Sequence, residues 1–137
     1  MDRRDLLAST AMLFGAAIVP PIATAQDDES TLAVSYPQSL IDDLVDCKKA
    51  AVNLHQFAIG NSLMTACARS SSTVITLVDA MLELVAEASG YGRAIAQTAA
   101  NACAECAMQC SRHSQMFWYA ELCRRACIAA EWELRRV

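Results

Sequence analysis

The chain has 137 residues, of which 55% are hydrophobic and 19% are charged, and its formal net charge is −4. This length suits one domain with a packed core. The acidic balance excludes the broad basic surface typical of nucleic-acid-binding proteins, so we expect no nucleic-acid partner. Long runs of β-branched and aromatic residues are scarce, which argues against a sheet.

The first 25 residues are typical of an export signal. The paired arginines Arg3 and Arg4 precede an apolar run over residues 6–19, and residues 23–25 form an A-x-A cleavage site. The apolar run is too short for a comfortable membrane span. The arginine pair and the leucines after it resemble the twin-arginine export motif, with an ordinary secretory signal as the alternative. We therefore expect residues 1–25 to engage the twin-arginine export machinery, giving a periplasmic protein whose mature chain has no stable membrane span.

The rest of the chain carries a helical pattern. Residues 26–38 are polar and irregular, which predicts a flexible leader. From residue 39 onward, apolar or small residues recur at three- and four-residue steps, with breaks at residues 60–61, 89–90 and 113–115. Short connections make neighbouring helices antiparallel. We predict an all-α fold, an antiparallel up-down-up-down four-helix bundle over residues 39–137, with one long kinked helix in place of the third and fourth as the alternative.

All seven cysteines lie on the predicted core seams of these helices. They are Cys47, Cys67, Cys103, Cys106, Cys110, Cys123 and Cys127. One cysteine at such a position is commonly a small apolar core residue, but seven in one small bundle indicate a metal site. With Met64, Met108 and Met116 they predict a sulfur-rich interior, and soft thiolates select Cu(I) over harder ions.

Three other uses of the thiols remain open. Disulfides are expected in an exported protein, although seven is an odd number and cysteines on adjacent turns of one helix have poor disulfide geometry. Structural zinc favours four tetrahedral ligands on loops or hairpins, and iron–sulfur clusters draw their cysteines from a loop. A row of inward cysteines suits several Cu(I) ions, each with two or three sulfurs. We expect Cu(I) first, disulfide staples second and zinc third.

The cysteine spacing resembles the signature of the copper storage proteins. The pattern is Cys103-x2-Cys106-x3-Cys110, then His113, then Cys123-x3-Cys127. This resemblance implies a four-helix bundle lined with cysteines that holds many Cu(I) ions and stores them without catalysis. It also implies copper loading in the cytosol, export where a leader is present and, commonly, a homotetramer.

This sequence departs from the family's spacing at several seam positions. The spacing places further cysteines at four positions that hold other residues: Ala99, Ala120, Ala130 and Leu134. We therefore expect a cysteine-poor member with a smaller copper capacity. No inward Ser/His/Asp set is visible and the acidic residues map mainly to outer faces, so we expect no enzyme.

An antiparallel bundle brings His55, Met64, His113 and Met116 to the same end. We expect a two-part core, with a thiol-lined half beside this end and a dry apolar half beyond it. The His/Met end is then the candidate point where copper enters, and solvated histidines at helix ends are the alternative. Residues 117–119 are three consecutive aromatics that cannot all face the core, so at least one is available for assembly.

Overall fold

Four helices and three short connections form the structure, a computed structural model that describes residues 33–137. The helices are α1 (Gln38–Ile59), α2 (Thr65–Ala86), α3 (Tyr91–Ser111) and α4 (Trp118–Arg135). α1 packs against α2 and α4, and α3 packs against the same two helices. The part of the chain that the structure describes contains no strand. The predicted all-α, antiparallel four-helix bundle is confirmed.

The predicted signal over residues 1–25 and residues 26–32 of the predicted leader lie outside the described residues. Gln38, which the sequence assigned to the leader, is the first residue of α1. Within residues 33–137, no helix is both long enough and apolar enough to cross a membrane.

The connections fall where the sequence predicted breaks. Asn61 begins the short 3-10 turn Ser62–Met64, because its side-chain oxygen accepts a hydrogen bond from the Leu63 N–H at 3.0 Å. α3 ends at Ser111 and α4 begins only at Trp118, so the alternative of one long kinked helix is wrong.

A single cluster of buried side chains, drawn from all four helices, forms the core. Every residue of the seams predicted for α1, α2 and α4 is buried. The α3 seam, which the periodicity predicts to run from Ile95 to His113, differs at its two ends. Ile95 is half-buried while Ala96 is buried, and His113 lies beyond the last helical residue. The three- and four-residue periodicity therefore located the core correctly except where α3 starts and stops.

The core has two parts along the bundle axis. The first turns of α1 and α3 and the last turns of α2 and α4 meet at one end and supply apolar side chains. These are Leu40, Leu44, Val78, Met81, Val85, Ala96, Ala130 and Leu134. The cysteines lie in the middle of the bundle and towards the other end, where the ring centroids of Phe57 and Phe117 are 5.2 Å apart. Leu54, Ala58 and Met64 share that half with the thiols.

The interior contains less methionine sulfur than the sequence predicted. Met64 is fully buried, but Met108 is 53% exposed and Met116 is 70% exposed. Met108 stands two residues from both Cys106 and Cys110, and residues at that spacing do not share a helix face. Met116 lies in the α3–α4 connection rather than on α4. The prediction that these two methionines join the interior is wrong.

Residues 34–37 run across the apolar end of the bundle. The Val34 N–H donates to the Ala88 carbonyl at 3.0 Å, and the Tyr36 hydroxyl donates to the Ser89 carbonyl. Tyr36 also packs against the core, beside Gly92. This segment therefore covers the end of the core that holds no thiol.

Replacing Gly92 with alanine should destabilise the bundle. Gly92 is buried, and a Cβ atom there would collide with the Tyr36 hydroxyl and lie 3.3 Å from Met81 Cε. Tyr36 would have to move and lose its hydrogen bond to Ser89. We expect the free energy of unfolding of the reduced protein, measured in urea, to fall by about 1–3 kcal/mol.

Gly60→Ala is the matched control. A Cβ at Gly60 meets nothing within 4 Å, and the φ of −83° suits any residue. Its effect on the free energy of unfolding should stay within about 0.5 kcal/mol. Equal unfolding midpoints for the two variants would contradict the packing of Tyr36 on Gly92.

Candidate metal centre

Two adjacent helices, α3 and α4, supply five of the seven thiols. The three cysteines of α3 follow an i, i+3, i+7 spacing and the two of α4 an i, i+4 spacing, so each set lies on one helix face. α1 and α2 add Cys47 and Cys67. All seven cysteines are free and 0% exposed. The predicted inward orientation of the cysteines is confirmed.

The thiols contact one another from helix to helix. Cys106 Sγ lies 4.0 Å from Cys110 Sγ and 3.9 Å from Cys123 Sγ. Cys123 Sγ lies 3.8 Å from Cys127 Sγ, which is 3.8 Å from Cys47 Sγ on α1. An unbroken chain of sulfur contacts therefore joins α3, α4 and α1.

Cys106, Cys110 and Cys123 form the most compact group, with their three Sγ atoms within 4.8 Å of one another. Among the described residues, no other three His, Cys, Asp or Glu side chains come as close. Two of the sulfur–sulfur distances are 4.0 and 3.9 Å and the third is at most 4.8 Å, so the point equidistant from the three sulfurs lies about 2.3–2.5 Å from each, close to the length of a zinc–thiolate bond. The trio is therefore spaced for a metal ion with three sulfur ligands.

The remaining two cysteines extend the group at its two sides. Cys103 lies on the same buried face of α3, in the middle of the bundle, and the Cys127 and Cys47 thiols lower its pKa. The Cys67 thiol donates to the Gln109 carbonyl at 3.6 Å, on the helix that carries Cys110. Five thiols thus form the contact chain, and Cys103 and Cys67 flank it.

Hydrogen bonds between the thiols move their pKa values in opposite directions. Hydrogen bonding, chiefly with Cys127, lowers the pKa of Cys103 to about 5. Hydrogen bonding, chiefly with Cys110, lowers the pKa of Cys106. The pKa values of Cys110 and Cys127 are raised, because their protons are held in these hydrogen bonds. Cys103 and Cys106 are therefore the first thiols to become thiolates, the form that binds soft metals.

The two histidines are not part of the sulfur contacts. His55 Nδ1 lies 2.9 Å from the Ala68 carbonyl oxygen and 3.4 Å from Ser71 Oγ, so the ring joins α1 to α2. His113 is half-buried in the α3–α4 connection, with its ring centroid 6.3 Å from that of Phe117. Among the described residues, neither histidine hydrogen-bonds to a thiol.

The four residues predicted for the copper entrance lie near the two connections at one end of the bundle, but they differ in environment. Met64 is fully buried, whereas Met116 is 70% exposed. Met64 and His113 each stand three residues from a cysteine, and the backbone N–H of His113 donates to the Cys110 carbonyl at 3.0 Å. Their role in copper entrance stays a prediction.

Ser70 was not among the residues predicted for the site, but it lies close to Cys67 and Cys106. Ser70 is 9% exposed, and its hydroxyl donates to the Cys67 carbonyl at 3.3 Å. The hydroxyl also makes a small contribution to the lowered pKa of Cys106. The available signal was its position three residues after Cys67, next to the predicted seam residue Ser71. That signal was weak, because serine at such a position is also common on solvated faces.

The reduced, metal-free protein should contain thiolate at mildly acidic pH. Since the pKa of Cys103 is lowered from 9.0 to about 5, ultraviolet thiolate absorbance should persist below pH 9.0 and fall as the pH passes through about 5. The folded pKa lies below the unfolded value. The contribution of Cys103 to the free energy of unfolding is therefore full above pH 9.0 and is lost as the pH falls through about 5.

Two cysteine variants make this titration specific. Cys127→Ala removes the main hydrogen-bond partner of Cys103 and should move the titration to higher pH. Cys67→Ala, which contacts Cys110 instead, should leave it in place. Thiolate absorbance that develops only near pH 9.0 in all three proteins would contradict this hydrogen-bond pattern.

Comparisons with known proteins agree with the resemblance carried by the cysteine spacing. A search of curated proteins found no significant match. A family model described as "Csp: Copper storage protein" matches residues 34–136. The matched region contains all four helices and all seven cysteines. The chain therefore belongs to the copper storage protein family.

Proposed function

We propose that this protein stores or sequesters Cu(I), held as several ions by the seven thiols in one half of the bundle. The observation that carries the proposal is the connected set of buried sulfurs, with Cys106, Cys110 and Cys123 within 4.8 Å of one another. The family to which the chain belongs stores copper. The cysteines are the proposed ligands, and copper is the cargo rather than a catalytic cofactor.

The chemistry around the thiols favours a soft monovalent ion. In the described residues, the buried polar side chains are Ser70 and Ser71, and no carboxylate or amide is buried among the thiols. Sulfur is therefore the dominant ligand type in the core, and soft thiolates select Cu(I).

Charge gives a second reason for Cu(I). One Cu(I) ion balances one thiolate, so a cluster with similar numbers of both is nearly neutral and inexpensive to bury. Zinc with four thiolates would instead leave a net charge of about −2 in the dry core. The same charge balance supports a number of bound Cu(I) ions per chain that approaches the number of thiols.

Export and assembly are part of the proposal. The arginine pair Arg3 and Arg4 and the small residues at 23–25 support twin-arginine export to the periplasm of a protein already folded around its copper. Fractionation of cells that carry an Arg3→Lys/Arg4→Lys variant tests this, since a periplasmic variant would contradict it.

The family resemblance supports a homotetramer, and exposed Trp118, Ile128 and Trp132 on α4 offer apolar surface for it. Light scattering measures the oligomer.

A disulfide-stapled structural bundle is the second candidate. Cys47 Sγ and Cys127 Sγ lie on different helices at 3.8 Å, and they would have to approach to about 2.05 Å to form a bond. Three bridges would leave one free thiol of the seven. A count of free thiols in protein isolated from its native compartment therefore separates staples from stored copper.

Anaerobic titration of the reduced protein with Cu(I), in competition with a chromophoric Cu(I) chelator, should show tight binding of several ions per chain. Replacing Cys106, Cys110 and Cys123 together with serine should remove most of this capacity, because the sulfur chain is then broken at its most compact point.

Two single variants are the controls for this titration. Cys67→Ser removes a thiol at the edge of the set and should lose a smaller share of the copper. Ser71→Ala removes a buried hydroxyl that hydrogen-bonds to Ala68 and His55, and should lose none. Binding of no more than one ion per chain, or an unchanged capacity in the triple variant, would contradict the proposal.

A further inference from the structure

Three of the thiols, Cys106, Cys110 and Cys123, are arranged to bind one three-coordinate ion on their own, and we call them the thiol trio. Their sulfurs come from α3 and α4 and lie within 4.8 Å of one another. The Cys106 sulfur lies 4.0 and 3.9 Å from the other two. The trio therefore surrounds a single point, whereas the contacts from Cys123 to Cys127 and on to Cys47 follow one another pairwise.

No fourth thiolate, imidazole or carboxylate completes a tetrahedron around this point. Cys127 contacts Cys123 at 3.8 Å, but in the described part of the chain no further His, Cys, Asp or Glu lies within 4.8 Å of all three sulfurs. Apart from Ser70 and Ser71, the other buried side chains of this half are apolar. Zinc would lack its fourth ligand here. An ion that forms three bonds and keeps a lone pair needs no fourth ligand.

The charge that remains in the core depends on the ion that the trio binds. Three thiolates with one Cu(I) leave a net charge of about −2, and three with a divalent ion leave about −1. A trivalent ion leaves no net charge. All three thiols are 0% exposed, and a buried net charge is costly unless it is paired. The trio alone therefore matches a soft trivalent ion, just as the whole set of thiols matches several Cu(I) ions.

We propose that the thiol trio is also a binding site for the uncharged trivalent hydroxides of soft metalloids, arsenous acid and its antimony counterpart. Such a molecule carries no charge, so it enters an apolar core at a lower desolvation cost than a free ion. Cys110 is the last residue but one of α3 and Cys123 is the sixth residue of α4, so the trio lies beside the connection between these helices. The protein thus sequesters a metalloid as well as copper.

Binding exchanges oxygen for sulfur without a change of oxidation state. Three As–O bonds break and three As–S bonds form, one to each sulfur of the trio. Each thiol gives its proton to a departing hydroxide, so three waters leave and arsenic remains As(III). The protein releases no proton, and it takes one up from solvent for each of the three sulfurs that starts as a thiolate. Loading with Cu(I) has the opposite sign, because each thiol that binds copper loses its proton.

The three sulfurs can close around arsenic by side-chain rotation. Because arsenic keeps a lone pair, it lies above the plane of its sulfurs. With bonds of about 2.3 Å, comparable with a metal–thiolate bond, the sulfurs must then lie closer together than about 4 Å. A rotation of about 20° around a Cα–Cβ bond moves its sulfur by about 0.5 Å and stays within the same rotamer. The helices therefore stay in place.

Native mass spectrometry of the reduced, metal-free protein with sodium arsenite, under anaerobic conditions, tests the proposal. We expect one arsenic per chain, with a mass gain of one arsenic atom less three hydrogen atoms. A pH indicator in weakly buffered solution should show no proton release with arsenite and clear release with Cu(I). An adduct that retains a hydroxyl group, and so uses only two thiols, would contradict the three-thiolate site.

Two matched variants identify the ligands. Cys123→Ala removes one sulfur of the trio and should weaken arsenite binding by more than the roughly 10–100-fold that loss of a group supporting a metal ligand costs. Cys47→Ala removes a sulfur that contacts Cys127 instead, and should leave the arsenite affinity unchanged. Both positions are fully buried, so a comparison of thermal unfolding midpoints shows whether either core is disturbed.

Methylarsonous acid, in which a methyl group replaces one hydroxyl, distinguishes a lost ligand from a damaged core. It forms only two As–S bonds, and the pair Cys106 and Cys110, 4.0 Å apart, remains in Cys123→Ala. This variant should therefore bind methylarsonous acid while its arsenite binding is weakened. Loss of both ligands in Cys123→Ala, or an equal loss of arsenite binding in Cys47→Ala, would overturn the assignment of the trio.

A Cu(I) titration of the same preparation keeps this inference separate from the storage function. A protein that binds several Cu(I) ions but no arsenite would refute the metalloid site and leave storage intact. A protein that binds arsenite at the trio but no more than one Cu(I) ion would refute storage alone.

Discussion

Contact between buried thiols on facing helices is the interaction on which the functional half of this bundle depends. Cys106 on α3 lies 3.9 Å from Cys123 on α4, and the contacts continue to Cys127 and Cys47. A free cysteine packs like a small apolar residue, so this half can be buried without a metal. The same sulfurs become metal ligands when the thiols lose their protons. One set of side chains thus serves as both core and binding site.

The apolar half of the core stabilises the bundle whether or not the thiol half holds copper. Leucine, valine and methionine side chains fill the end next to the α2–α3 connection, and the segment with Tyr36 covers it. Burial of such side chains stabilises a bundle without any ligand. The cysteines can therefore exchange protons for copper while the helices stay in place. Storage requires that property, because a bundle that folded only around copper would lose its structure on releasing it.

Periodicity predicted the seams and the inward cysteines, because residues three and four positions apart share a helix face whatever the neighbours are. It gave the wrong environment for Met108 and Met116. Met108 is two residues from Cys106 and Cys110 and so lies on a different face of α3, and Met116 lies in the connection before α4. The position of Ser70 beside the thiols depends on how closely two helices approach, which the residue pattern of one helix does not encode. The pKa shifts of Cys103 and Cys106 depend on which thiol donates to which, and that requires positions in space.

The central claim is that several Cu(I) ions share the sulfurs of one connected cluster. X-ray absorption of the copper-loaded protein tests it most directly, because the spectrum reports oxidation state, ligand type and metal–metal distances together. The account predicts a Cu(I) edge, a first shell of sulfur alone at about 2.3 Å by analogy with other metal–thiolate bonds, and a copper–copper contribution. A first shell dominated by nitrogen or oxygen, or isolated ions without a copper–copper contribution, would contradict it.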